Sequence, residues 1–140
     1  MVGIGLLAAV ASSLAGIVDA AYWFGGYLSA YNTIVQTRFD TDATAALSAT
    51  LTDGTDAVGG FANGQTAAYI AGNDWGTPVW GTDVIGKLTF ATGAYALISA
   101  TLSEITWGDA GASNSGTAGY FTGGQGRDGA SSVVLDKIDK

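Results

Sequence analysis

Cysteine and histidine are both absent from the 140 residues. Without cysteine there is no disulfide, no thiolate metal site and no cysteine nucleophile, and the redox compartment stays open because a cysteine-free chain fits either side. Without histidine the chain lacks the commonest general base and the commonest ligand for zinc or copper. Charge is scarce too: charged residues are 12% of the chain, about half the roughly 25% of an ordinary soluble domain. Cations are the rarest, with five Lys and Arg against twelve Asp and Glu and a net charge of −7. Neutralising a phosphate backbone takes clustered Lys and Arg, so no nucleic acid contact is expected. A single proline, Pro78, punctuates the chain.

What is present is apolar or small. Hydrophobic residues make up 48%, and there are 22 glycines. The polar surface is mainly Thr, Ser, Asn and Gln, which forms few ion pairs and suits a surface covered by neighbouring copies, by lipid or by a tightly hydrogen-bonded β surface. From Met1 to Thr37 the only charged side chain is Asp19, and the first cation is Arg38. Large apolar residues recur at Leu6, Val10, Leu14, Ile17, Phe24, Leu28, Tyr31 and Val35, in steps of three, four or seven. That spacing predicts a helix. A second stripe is small or polar: Gly5, Ala8, Ser12, Gly16, Asp19, Gly26, Ala30 and Thr33. Small residues let helix backbones approach closely in membranes and apolar filament cores. The aromatic cluster Tyr22, Trp23, Phe24 and Tyr27 suits a membrane interface. A carboxylate inside such a helix needs a partner, which makes Asp19 a candidate for pairing with a neighbouring copy.

The opening Val2-Gly3-Ile4-Gly5-x-Leu7, the Ala/Val-rich stretch after it and Gly26-Tyr27-Leu28 resemble the mature amino-terminus of archaeal filament subunits, the archaellins and type IV pilin-like proteins. The resemblance covers about the first 30 residues. It implies a hydrophobic helix in a filament core and a β-rich head outside, at the cell surface.

Beyond Arg38 the composition shifts to Thr, Ala, Gly and Asp, which sets a boundary between an extension, residues 1–37, and a head, residues 38–140. Residues 43–51 read as a short helix or, because Thr alternates there, as a strand. Asn63-Gly64 is a hairpin signal between strands near 57–62 and 66–71. Residues 77–80, 84–92 and 132–138 are further strand candidates. Tyr95, Ile98, Leu102 and Ile105 have helical spacing and predict a helix over 94–107. Residues 108–129 hold eight glycines and read as a loop, in which Tyr120 and Phe121 are candidate anchors against a neighbour. Residues 42–52, DATAALSATLT, and 93–103, GAYALISATLS, agree at six of eleven positions at an offset of 51. A second pair, 54–59 and 81–86, has an offset of 27; the unequal offsets argue against clean duplication, and convergent low complexity stands beside it as the rival reading.

The expected fold is therefore α+β: a long hydrophobic N-terminal helix, then a small Gly/Thr-rich, mainly β head with one further helix. The acids Asp40, Asp42, Asp53 and Asp56 are candidates for calcium, against the ordinary use of Asp in turns; no full calcium-binding loop is present. The serines have no base, and Gly123-Gly124-Gln125-Gly126 lacks the lysine of a phosphate loop. A non-enzymatic role is expected: a structural subunit that polymerises with copies of itself, meeting the membrane before or during assembly. The alternatives are a viral coat or virion membrane protein and a membrane-anchored binding module.

Overall fold

The computed structural model describes residues 20–25, 32–52, 58–64, 66–72, 81–114, 117–128 and 131–140. Among the described residues twelve strands are formed: β1 Ala20–Phe24, β2 Thr33–Arg38, β3 Thr44–Thr50, β4 Gly59–Asn63, β5 Ala67–Ala71, β6 Thr82–Thr89, β7 Ala94–Thr106, β8 Ala110–Asn114, β9 Ala118–Thr122, β10 Gln125–Asp128, β11 Ser131–Val134 and β12 Ile138–Asp139. All pairings are antiparallel. The first sheet has the order β1-β2-β3, the second β4-β5-β6-β7 and the third β12-β9-β8, while β10 and β11 make a two-stranded ribbon.

The α+β expectation is overturned. The described residues contain no helix, and hence none long and apolar enough to cross a membrane. β1 and β2 stand inside the segment expected to be a 37-residue helix, so the likeness to archaeal filament subunits fails at the feature it implied. The physical reason is a lack of contrast. Where nearly every residue is apolar or small, a period of 3.6 and a period of 2 are both satisfied. A strand pairing decides between them: Trp23 lies opposite Val35 and Phe24 opposite Ile34. The helix expected over 94–107 is likewise a strand, β7, broken by two register shifts against β6. Its steps of three, which a helix would bring to one face, join residues on opposite faces of a strand. Tyr95 packs toward the first sheet, Ile98 and Leu102 pack in the other cluster, and Ile105 is 44% exposed.

The glycine-rich stretch expected as a loop supplies β8, β9 and β10. The hairpin at Asn63-Gly64 is formed, with Asn63 paired to Ala67 and the Thr66 amide donating to the Asn63 carbonyl at 3.2 Å. Residues 43–51 resolve as strand β3. The strand expected at 77–80 lies outside the described residues. Residues 39–43 turn β2 into β3.

The three sheets are made from one repeated unit. Residues 34–72 and 85–123 align without a gap at an offset of 51, with sixteen identities in 39 positions. The backbone repeats with the sequence. Gly25, Gly72 and Gly123 close the equivalent strands β1, β5 and β9, with φ of 65°, 70° and 71°. Asp42, at φ 55°, occupies the place of Gly93, at φ 65°. The turn at Asn63 recurs at Asn114, where the Thr117 amide donates to the Asn114 carbonyl at 2.8 Å. Each unit gives three strands to its own sheet and passes its fourth to the next: β4 pairs with β5, and β8 with β9. The pair 54–59 and 81–86 has no such equivalence, since residue 59 opens β4 and residues 82–86 lie in β6.

The sheets stack in series. Alternation along β5 sends Ala68 and Ile70 into a cluster with Tyr22, Phe24, Ile34, Leu51 and Leu88 of the first interface. Tyr69 and Ala71 go the other way, to Ile85, Ile98, Leu102 and Phe121 of the second. The stack is a fan. β4 and β8 meet so closely that a Cβ on Gly111 would overlap the Gly60 carbonyl, whereas β3 and β7 at the opposite edges barely meet. Gly60 and Gly111 hold the same place in the repeat, so glycine at this position lets successive inner strands touch.

Candidate functional site at the convergence of the sheets

The inner edge of the fan holds a buried acid. Asp109 follows β7 and the positive-φ Gly108, and it is 9% exposed. It lies against three glycines from different parts of the chain. A Cβ on Gly59 would stand 2.6 Å from its carbonyl oxygen and one on Gly72 2.6 Å from its Oδ2, while one on Gly124 would overlap Oδ1. Oδ1 accepts a hydrogen bond from the Thr106 hydroxyl, and Oδ2 is buried without a partner. Burial pushes this carboxyl above the ordinary carboxylate value; the Thr106 hydrogen bond opposes the shift and Asp139 adds to it. The equivalent position in the preceding unit is Val58.

Beside it, the C-terminal residues strap β7. Asp139 accepts from the Ser103 amide and hydroxyl, both at 3.2 Å, and Lys137 pairs with Glu104. That pairing holds the Lys137 ammonium above its usual value. These groups surround a pocket of about 10 Å³, room for about one water.

The larger opening lies on the second interface. A groove of about 260 Å³ is lined by Phe61, Tyr69, Ile85, Ile98 and Phe121, with Asp139 and Lys140 among its walls. In the first interface Phe90 and Tyr95 pack against the buried cluster, as do Leu47 and Ala49, the equivalents of Ile98 and Ala100. Among the described residues the third sheet has no strand in the position of β3 and β7, and the groove lies where such a strand would pack.

Of the residues expected to act in assembly, Gly5, Leu6, Val10, Ser12, Leu14, Gly16, Ile17, Asp19, Gly26 and Leu28 lie outside the described residues, as do the calcium candidates Asp53 and Asp56. Trp23 is half-buried in β1 and its indole N–H donates to the Thr37 hydroxyl at 3.1 Å. Phe24 is buried in the first interface. Tyr120 is half-buried on β9, whereas Phe121 is 6% exposed and packs against Phe61 within the chain. Asp40 accepts two hydrogen bonds from Arg38, at 3.1 and 2.7 Å, which hold its carboxyl below the usual value. Asp42 takes the positive-φ turn position. Among the described residues no group of three acids is arranged to hold a metal ion. Sequence reasoning did not mark Asp109 as a buried acid, although a signal for it exists: it is the one place where the second of the aligned units puts an acid at an apolar position of the first, Val58. The chain matches no family model, and no curated protein is significantly similar to it.

Proposed function

We propose that this chain is a non-enzymatic structural subunit, a β-repeat scaffold that assembles with further copies of itself through its sheets. The observation that carries the reading is the serial stacking of sheets built from one 51-residue unit. A four-stranded antiparallel unit of about 50 residues, touching at its inner edge and splayed at its outer edge, is how propeller-type arrays are built. In such arrays each unit buries its faces only against its neighbours. The outer edge supports the same reading. β3 is exposed at five of its seven positions and carries no charge or proline, devices by which isolated sheets usually guard an edge.

The test is sedimentation of the purified 140-residue chain over a wide concentration range, with electron microscopy of the products. A concentration-dependent series of oligomers is the expected outcome. A single monomer boundary up to millimolar concentration sinks the proposal.

A second reading, a small binding module, is favoured by the groove of about 260 Å³. That volume falls just below the ~300–1,000 Å³ of small-molecule sites, which ranks it second. If it holds, anilinonaphthalene sulfonate binds the wild-type chain and loses its site in Ile98→Trp, which fills the groove.

A further inference from the structure

The repeat identifies which surfaces the stack leaves uncovered. Ile34, Ile85 and Ile138 are equivalent residues, each opposite the strand that ends in a positive-φ glycine: Ile34 pairs with Phe24, Ile85 with Ala71 and Ile138 with Thr122. Ile34 and Ile85 each face the next sheet in the series, and Ile138 holds the same place on the open face of the third. Their exposures are 0%, 9% and 70%, so the third repeats the chemistry of the first two with nothing described against it. Tyr120 shares that face, as the equivalent of the buried Tyr22.

The opposite end of the stack is complementary. Phe90 reaches back from the second sheet and stacks on Tyr22, with ring centroids 4.8 Å apart and planes 7° from parallel. Its equivalent in the first sheet is Phe39, on the face that points away from the second sheet and 48% exposed. Terminal units of stacked arrays ordinarily carry a polar outer face as a cap. Here, among the described residues, the outer faces of the first and third sheets both keep the apolar residue of an internal interface.

The geometry points to head-to-tail docking of a second copy of this chain, its first sheet placed on the open face of the third sheet, so that Phe39 of one copy stacks on Tyr120 and Ile138 of the next. The contact continues the internal interface between the first and second sheets, and it deepens the assembly reading above by naming the surfaces. It is heterologous: the two copies contribute different patches, which yields rings if the rotation closes and open filaments if it does not.

Two single variants and their mixture test it by sedimentation. Phe39→Asp and Ile138→Asp each remove one patch from an exposed position and leave the other intact. Each variant alone is expected to lose self-association by on the order of 100-fold, the effect of disrupting an anchor residue. Mixed together, they retain one intact pair of patches and form a dimer that grows no further. Assembly by Phe39→Asp alone at the wild-type level overturns the proposal, because a contact of Ile138 faces with each other needs no Phe39. Wild-type assembly indifferent to both variants overturns it too, while leaving the structural role standing; a monomeric wild type overturns both. Circular dichroism checks the sheets, and if an aspartate variant unfolds, Phe39→Thr and Ile138→Thr carry the same readout with strand propensity kept.

Discussion

The two interfaces of the stack are built from equivalent residues and packed to different standards. In the first, Ile34, Leu51 and Leu88 are 0, 2 and 1% exposed and Tyr22 is covered by the Phe90 ring. In the second, Ile85 and Leu102 are 9 and 4% exposed, Tyr69 lies under the Lys87 ammonium, 5.8 Å from the ring centroid, and a groove remains. Part of the face is the same in both, since Ile34 and Ile85, Leu51 and Leu102, and Tyr22 and Tyr69 are pairwise identical, but the place of the buried Phe24 is taken by Ala71 in the second. The covering sheet differs as well: among the described residues a four-stranded sheet closes the first interface and a three-stranded one the second. A repeat thus specifies a face, and its neighbour decides how much of that face is removed from water.

The largest effect expected follows from this contrast. Leu88→Ala, in the closed interface, leaves a cavity walled on every side and costs about 3 kcal/mol, whereas Ile98→Ala, beside the groove, costs about 1 kcal/mol because its site is already open. Urea titration of both variants measures the difference, and equal losses would remove the distinction. Next in size is Gly111→Ala at the inner edge. The added methyl has to displace the Gly60 backbone, at about 2 kcal/mol. Gly93→Ala meets open space, and its cost is confined to a φ of 65°, about 1 kcal/mol.

Asp109 gives the third test. Its carboxyl is held above the ordinary value by burial, so the folded state keeps the proton at a pH where the unfolded chain has released it. Its contribution is therefore most favourable below the unfolded value, near pH 4, and is lost as pH rises toward and through the folded value. Asp109→Val restores the residue of the preceding unit and should raise stability at pH 7 by about 1 kcal/mol, more than at pH 4. Denaturation at the two pH values checks the sign; a variant less stable at pH 7 than at pH 4, relative to wild type, contradicts it. The smallest effect is at the β2–β3 turn. Asp42→Gly copies Gly93 and is expected to gain about 0.5 kcal/mol by relieving a positive φ on a non-glycine residue, read as a small rise in melting temperature.

Much of the turn chemistry is legible in the order of residues alone. Asn63-Gly64 marks a hairpin because its residues tolerate positive φ, and the offset of 51 is visible in residues 42–52 and 93–103. The extent of the repeat is obscured by connections of unequal length: Tyr22 of β1 precedes Tyr69 of β5 by 47 residues, whereas Ile34 of β2 and Ile85 of β6 are 51 apart. Spacing misleads in β7 for a different reason. Its large apolar residues lie on both faces of the strand, Tyr95 on one and Ile98 and Leu102 on the other, although their steps are those of a helix. Asp109 carries no motif of its own, and its burial comes from glycines 50, 37 and 15 residues away in sequence.

By itself the sequence determined the chemistry the chain is denied, thiolate and imidazole alike, and the local backbone. Glycine or Asp stands where φ must be positive, and small residues stand where strands must touch. Such preferences act within a few bonds, so they are written residue by residue. Tertiary structure decided helix against strand in residues 20–24, 33–38 and 94–106, and it decided which of three equivalent isoleucines is buried. Both depend on partners distant in the chain. A segment almost uniformly apolar fits either periodicity until a second strand satisfies its amides. Ile34 and Ile138 are the same residue at equivalent positions of two units, separated by 0% and 70% exposure because, among the described residues, only one has a sheet laid over it.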